Sequence, residues 1–312
     1  MKEWEGKQVH VDSLSGGRSS RYQGFLLEGL AKKNNWYLEH VFMDTGAEHP
    51  ATYKFLLDMH EIWGWDITCI RAVTHEHGTG NTYEVLNIRD LKQDYKAYID
   101  HCVKYNVPSL ATPNCTEKMK TLPFVDYCKG KYGKNGYKRW IGYRADEPQR
   151  MKEVEDQIEM FMLDKKTKAR RNSHKGFGYL AHISDFDKQD ITEWSAKQEF
   201  DLPEKFDHLG NCVFCVKKDP QKIALAARDE PEMAIQYINV VDHDRNRILP
   251  SSKLNKNIQY RGYHSLQSVI DTYEDVPTEV LRDNIYRGKK LKAEPKCATS
   301  CIGVDVQYEL FS

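Results

Sequence analysis

No stretch of the chain approaches the run of about 18 apolar residues that a membrane span requires, and the opening MKEWEGKQVHVDSL lacks the apolar core of a signal peptide. These absences predict a soluble, cytoplasmic protein without a membrane partner. Neither sign of charge is in excess: 46 Lys and Arg stand against 46 Asp and Glu, a formal net charge of +0. The whole-chain field therefore gives no case for nucleic acid or acidic membranes, and only a local basic patch remains open. Internal repeats and low-complexity tracts are missing as well. The eight cysteines then sit in a reducing compartment, where metal binding or redox chemistry explains clusters better than structural disulfides.

At 312 residues the chain exceeds what one core normally organises, so a main domain of roughly 200–250 residues with an appended region is expected. The boundary is placed at 218/219, giving domains 1–218 and 219–312, the latter a helical extension with a cysteine-bearing tail. A strand over Gln8–Leu14, a glycine turn and a helix carrying Tyr22, Phe25, Leu26, Leu30 and Ala31 open the chain. A β-rich run Trp36–Met43, a helix from Pro50 to Trp63 and a strand Asp66–Ala72 follow. Such β-α-β-α-β alternation with short connections demands a parallel sheet, here a doubly wound α/β fold whose ligands bind at the carboxyl ends of the strands. Residues 75–115 combine a polar stretch, HEHGTGNTYE, with a helical segment bearing Leu91, Tyr95, Ile99 and Cys102, and read as a mobile loop over the site. Tyr137–Tyr143 is expected as another core strand, Lys165–Lys175 as a solvated basic run, and Asp190–Trp194 as a helix start.

The strongest chemical motif is Ser15-Gly16-Gly17-Arg18-Ser19-Ser20. Paired glycines let the backbone approach an anion, the following helix offers free N–H groups and its positive dipole end, and the serine hydroxyls add donors. The alternative is an ordinary glycine turn. At the end of the next strand, Asp44-Thr45-Gly46-Ala47-Glu48 has a glycine for a tight turn and two carboxylates that can meet a ribose, a metal or a substrate amine. Glu48 reads equally as a first-turn carboxylate favoured by the helix dipole.

The loop at 15–20 resembles the pyrophosphate-binding loop (PP-loop) of the ATP pyrophosphatase and phosphoadenosine phosphosulfate (PAPS) reductase superfamily. It departs from the usual Ser-Gly-Gly-x-Asp-Ser form in carrying Ser19 where aspartate is expected. Val41–Pro50 is similar to the family's second signature, Cys115-Thr116-x-x-Met119-Lys120-x-x-Pro123 to its Cys-x-x-x-x-Lys-x-x-Pro element, and Gly142–Arg150 to its Gly-x-Arg-x-x-Glu element. The four occur in family order over residues 11–150, and Asp190–Trp194 with Cys212–Cys215 extend the likeness to about 218. The resemblance implies a Rossmann-like adenine nucleotide alpha-hydrolase fold and an adenine nucleotide, ATP or PAPS/APS, with or without Mg2+. It also implies that Lys120, Arg144 and Arg150 neutralise phosphate or sulfate charge, with Glu147 beside them. Arg144 and Glu147 as a structural ion pair is the competing reading.

Cys212-Val213-Phe214-Cys215 is a knuckle of the kind that places two thiolates on one metal. Family members that incorporate sulfur into nucleic acid resemble this pattern, which implies Cys115 and Cys128 as the second pair on a [4Fe-4S] cluster, with Zn2+ equally suited to four thiolates. Cys102 is an alternative ligand or a core residue, and Cys69 belongs to packing. Cys297 and Cys301 lie in the tail without the Glu-Cys-Gly-x-His context of the family's reductases. Three functions follow: an ATP-dependent adenylating sulfurtransferase with a nucleic-acid or sulfur-donor partner, a thioredoxin-coupled sulfonucleotide reductase, or a non-catalytic nucleotide-binding module with structural zinc.

Overall fold

The computed structural model describes residues 2–152, 176–248, 260–261 and 264–287. The run Lys165–Lys175 and the tail cysteines Cys297 and Cys301 lie outside them. Six strands form one sheet: β1 (Val9–Leu14), β2 (Tyr37–Asp44), β3 (Ile67–Val73), β4 (Thr82–Leu86), β5 (Lys138–Ile141) and β6 (Phe177–Tyr179). Their spatial order is β4-β3-β2-β1-β5-β6, parallel throughout except for β4, which runs antiparallel to β3. From β1 the chain builds outward through β2 and β3 on one side, and later through β5 and β6 on the other. The carboxyl end of β1 is thus the topological switch point, where open α/β sheets leave a crevice for ligands.

Helices numbered in chain order among the described residues are α1 (Arg18–Asn34), α2 (Pro50–Glu61), α3 (Lys96–Lys104), α4 (Leu122–Tyr132), α5 (Lys188–Ala196), α6 (Pro220–Asp229), α7 (Pro231–Val241), α8 (Leu266–Asp271) and α9 (Thr278–Tyr286). Their starts are written locally. In α2 the His49 side chain accepts from Ala51 N and Pro50 takes the first turn, where a missing N–H costs nothing. In α5 Asp187 caps the N–H groups of Gln189 and Asp190.

Alternation along the strands divides the core. Leu14, Phe42 and Cys69 face one side, where they join Phe55, Leu56 and Met59 of α2 and Tyr98 and Cys102 of α3. Val9, Val11, Val41, Met43 and Ile70 face the other, against Phe124, Tyr127 and Cys128 of α4. Full burial of each large apolar side chain contributes roughly 1.5–3 kcal/mol. The first core continues into α6, α7 and α8 through Ile223, Ala226, Tyr237, Val240, Leu266 and Val269. The expected junction at 218/219 therefore falls within one continuous apolar core, joined further by the hydrogen bond between Tyr98 and Tyr237 hydroxyls.

Region 75–115 differs from a loop. It supplies β4 and α3, and β4 begins inside the polar stretch. Most of its residues are exposed, so an edge position beside β3, rather than hydrophobic alternation, makes it a strand.

Candidate functional site

The site grows from the turn between β1 and α1. Gly16 holds φ +72°, and a Cβ there would stand 2.5 Å from Thr52 Cγ2, so the left-handed turn and the close approach of α2 both require glycine. Gly17 is the N-cap of α1. Ser15 N, Ser15 Oγ and Gly17 N all point at Ser20 Oγ, at 3.1, 3.0 and 3.3 Å. Three donors converging on one oxygen at the N-terminus of a 17-residue helix is an arrangement suited to an anionic oxygen.

Arg18 has a different task from its neighbours. Its Nε donates to both Asp201 oxygens at 3.0 and 2.9 Å, and Nη2 to the Leu202 carbonyl at 2.7 Å. Arg21, fully buried, donates to the Phe200 carbonyl and to Asp201. Its guanidinium also packs over Phe55, Trp63, Trp194 and Phe200. The first turn of α1 is thereby tied to residues 195–203, and Arg18 anchors the loop.

On the opposite flank of the switch point, Gly142 approaches so closely that a Cβ would lie 3.4 Å from Ser20 backbone atoms. Arg144 follows, with Nη1 donating to Ser19 Oγ at 3.2 Å and Nε to Asp146 at 2.8 Å. Glu147 accepts from Arg144 N at 3.1 Å and pairs with both Arg144 and Arg150. Arg150 lies over the Tyr143 ring. The expected ion pair of Arg144 and Glu147 is present, and the same arginine reaches the loop through Ser19.

The second loop forms a buried charge network. Asp44 accepts from Gly46 N at 3.0 Å, Tyr53 Oη at 2.8 Å and Arg71 Nε at 2.7 Å, and Arg71 also binds Asp94 at 2.8 Å. Glu48 accepts from Thr45 Oγ1 at 2.8 Å and from Lys120 Nζ at 3.2 Å. Burial and the neighbouring Glu48 charge raise Asp44 to about 6 against the pull of Arg71. Burial would raise Glu48 too, but Lys120 and Thr45 more than offset it and hold the carboxyl below its ordinary range. All four carboxylate oxygens of Asp44 and Glu48 are thus engaged by protein donors. Lys120 comes from a π turn, Glu117–Thr121, that runs directly into α4. Such turns inside helices re-aim side chains.

Cys212 meets this network. Its Sγ lies 3.4 Å from Thr45 Oγ1 and 3.8 Å from Glu48 Oε1, while Glu48 and Cys212 form an isolated β-bridge. Burial, then the Glu48 charge, push its thiol above the ordinary range, so Cys212 is not poised as a thiolate. Cys215 lies near enough to add to that shift. Cys115 packs against the same first core, and its charge raises Cys102 further beyond what burial does.

Cys128 does not join them. It lies fully buried on the other face of the sheet among Val9, Val11, Val41 and Phe124, with its thiol pushed well up by burial. The expected quartet of Cys115, Cys128, Cys212 and Cys215 therefore does not fit one iron-sulfur or zinc centre. Among the described residues no group of three or more His, Cys, Asp or Glu is arranged to hold a metal. The spacing of cysteines along the chain carries no information on which face of a sheet each helix covers. Residues missed from the sequence are Arg71, Tyr53 and Asp94, which hold Asp44 in place. Each looked like an ordinary strand, helix or loop residue, and only the fold brings them to the end of β2.

No protein-family model and no solved structure matches the chain. It is 35% identical over 303 residues, 94% of each chain, to the "uncharacterized nin region protein ORF290" of Escherichia phage lambda. No described helix is long and apolar enough to cross a membrane.

Proposed function

The chain belongs to the family of the phage lambda nin region protein ORF290, and for it we propose an adenine-nucleotide enzyme of the ATP pyrophosphatase and PAPS reductase type, acting by ATP-dependent adenylation of an acceptor that then receives sulfur. One observation carries the reading: the loop Ser15–Ser20 and the segment Gly142–Glu147 meet across the switch point of a parallel sheet, with Arg144 Nη1 on Ser19 Oγ at 3.2 Å. Phosphates would be cradled by the Ser15, Gly16 and Gly17 backbone, the serine hydroxyls and the N-terminus of α1. Attack on the α-phosphorus forms the acceptor–phosphate bond and breaks the bond to the β-phosphate oxygen, which leaves as pyrophosphate. Arg144, Arg150 and Lys120 face charge that grows on those oxygens, and fixed cations at such a place are worth far more than in water. Sulfur from a separate donor then displaces AMP. No step runs through a cluster.

Full-length protein with Mg2+ and ATP labelled at the α-phosphate is expected to yield AMP and pyrophosphate when acceptor and sulfur donor are supplied. Lys120→Ala and Arg144→Ala should lower turnover at least 100-fold while ATP still binds. Absence of binding to ATP, APS and PAPS at millimolar concentration sinks the reading. Release of sulfite from a sulfonucleotide with a dithiol reductant, without ATP cleavage, would move it to the reductase class.

A further inference from the structure

Beside the π turn, away from the nucleotide loop, a cavity of about 130 Å³ is lined by Gly80, Asn81, Tyr105, Lys118, Lys129, Lys134 and Tyr137, among others. Its charged lining is three lysines to one aspartate, a local positive excess in a chain whose total is zero. Lys104 and Lys118 ammoniums lie 4.9 and 5.7 Å from the centre of the same Tyr105 ring. Asn81 fixes this group: its Oδ1 accepts from Lys104 Nζ at 3.1 Å and Tyr105 Oη at 2.9 Å, and its Nδ2 donates to the Lys118 carbonyl at 3.0 Å. Desolvation, and then the nearby Lys118 ammonium, lower the Lys104 pKa. Gathering like charges costs free energy unless an anion relieves it. Asp126, on the cavity wall, and Glu117, on Lys118 at 2.7 Å, offset part of the charge of the three lining lysines and of Lys104 beside them.

The lysines are also spaced in a line. Lys118, Leu122, Val125 and Lys129 fall on one face of the π turn and α4, and Lys134 follows the helix end. Lys118 and Lys129 are 11 residues apart, about 16 Å along a helix axis. We infer that this lysine- and tyrosine-lined cavity seats the backbone of a single-stranded nucleic acid. Cations along a track with an aromatic wall are the means by which single strands are held without base reading. A compact anion would use the Lys104–Lys118 end alone and leave Lys129 and Lys134 without a role. Lys118 lines the cavity while Lys120, two residues on, binds Glu48, so one π turn serves both the cavity and the candidate reaction centre. That the strand is the acceptor rests on the proposed nucleotide chemistry; that it binds does not.

The test is fluorescence anisotropy of labelled single-stranded DNA and RNA with the full chain across a salt series. Binding should weaken steeply with salt. Lys129→Glu with Lys134→Glu should raise Kd roughly tenfold or more and reduce the log–log salt slope by about 1.4, two phosphate contacts on a single strand. The neutral pair Lys129→Gln with Lys134→Gln should shift both in the same direction by less, with unchanged thermal melting and unchanged ATP binding. Wild-type affinity in both double variants, salt-independent binding, or displacement of the strand by neither ATP nor unlabelled strand but by anionic vesicles overturns the inference. Strand binding that persists when Gly16→Ala abolishes ATP binding would separate this surface from the nucleotide site.

Discussion

His40 shows how a single buried residue sets a pH limit on this fold. It is stacked on Trp65 at 4.3 Å, with Nδ1 on Asp12 at 2.8 Å and Nε2 on Glu28 at 3.2 Å. Burial alone would lower its pKa, but the bonds to Asp12 and Glu28 more than offset this and raise it to about 9 from 6.5. The folded state therefore binds the proton more tightly than the unfolded chain. The resulting stability is fully present below about pH 6.5 and is lost as pH rises through about 9. Wild type should exceed His40→Gln by up to about 3 kcal/mol at pH 6, the gap closing by pH 10, as read from urea melts at each pH. A gap that widens with pH would contradict the network. Cys128 supports a second prediction: Cys128→Ala removes a buried sulfur from an apolar core and should cost roughly 0.5–1.5 kcal/mol, as loss of one methyl-sized group does. ATP turnover and the metal content of anaerobically purified protein should be unchanged, and loss of bound iron or zinc would place Cys128 back among ligands.

Among the elements, the turn between β1 and α1 depends on its two glycines unequally. Gly16 has positive φ and no room for a Cβ, whereas Gly17 is extended at φ −111° and a Cβ there would come no nearer than 3.6 Å to Ser15 Oγ. Gly16→Ala should cost at least about 1–2 kcal/mol from the left-handed backbone alone and abolish nucleotide binding. Gly17→Ala should fold with losses below about 1 kcal/mol. Calorimetric titration with ATP reads both, and equal behaviour of the two variants would deny the loop its geometry. The loop was legible from sequence because its chemistry is local: glycine, serine and helix start all fall within six residues. β1, β2, β3 and β5 were legible too, each falling within a β-rich segment whose residues are mostly buried. β4 and β6 were not, since β4 is mostly exposed and β6 is three residues long, so pairing with a neighbour defines them. The partner of Asp44, Arg71, lies 27 positions away, and the π turn that aims Lys120 has no composition of its own.

At the scale of the whole molecule, the order of the strands and the extent of the core decide which parts act together. Residues beyond 218 complete the face of the sheet that α2 and α3 began. Tyr237 packs beside Phe214, hydrogen-bonds to Tyr98 at 2.5 Å, and lies near both Cys212 and Cys102. Arg228 binds the Tyr273 and Val276 carbonyls, closing α6 onto the segment before α9. A chain ending at 218 would leave Phe214, Val216 and the apolar side of α3 uncovered beside the Cys212–Glu48 contact. The full chain should then unfold in one cooperative calorimetric transition, and the 1–218 fragment should bind a hydrophobic dye and show no ATP affinity. Two resolved transitions, with the fragment retaining ATP affinity, would show the boundary to be real. The same reasoning ties chemistry to stability. Glu48 is held by Thr45 on one side and by Lys120 and Cys212 on the other, and Tyr237 lies near Cys212, so Tyr237→Ala should lower the proposed ATP turnover as well as cost about 3–5 kcal/mol of stability.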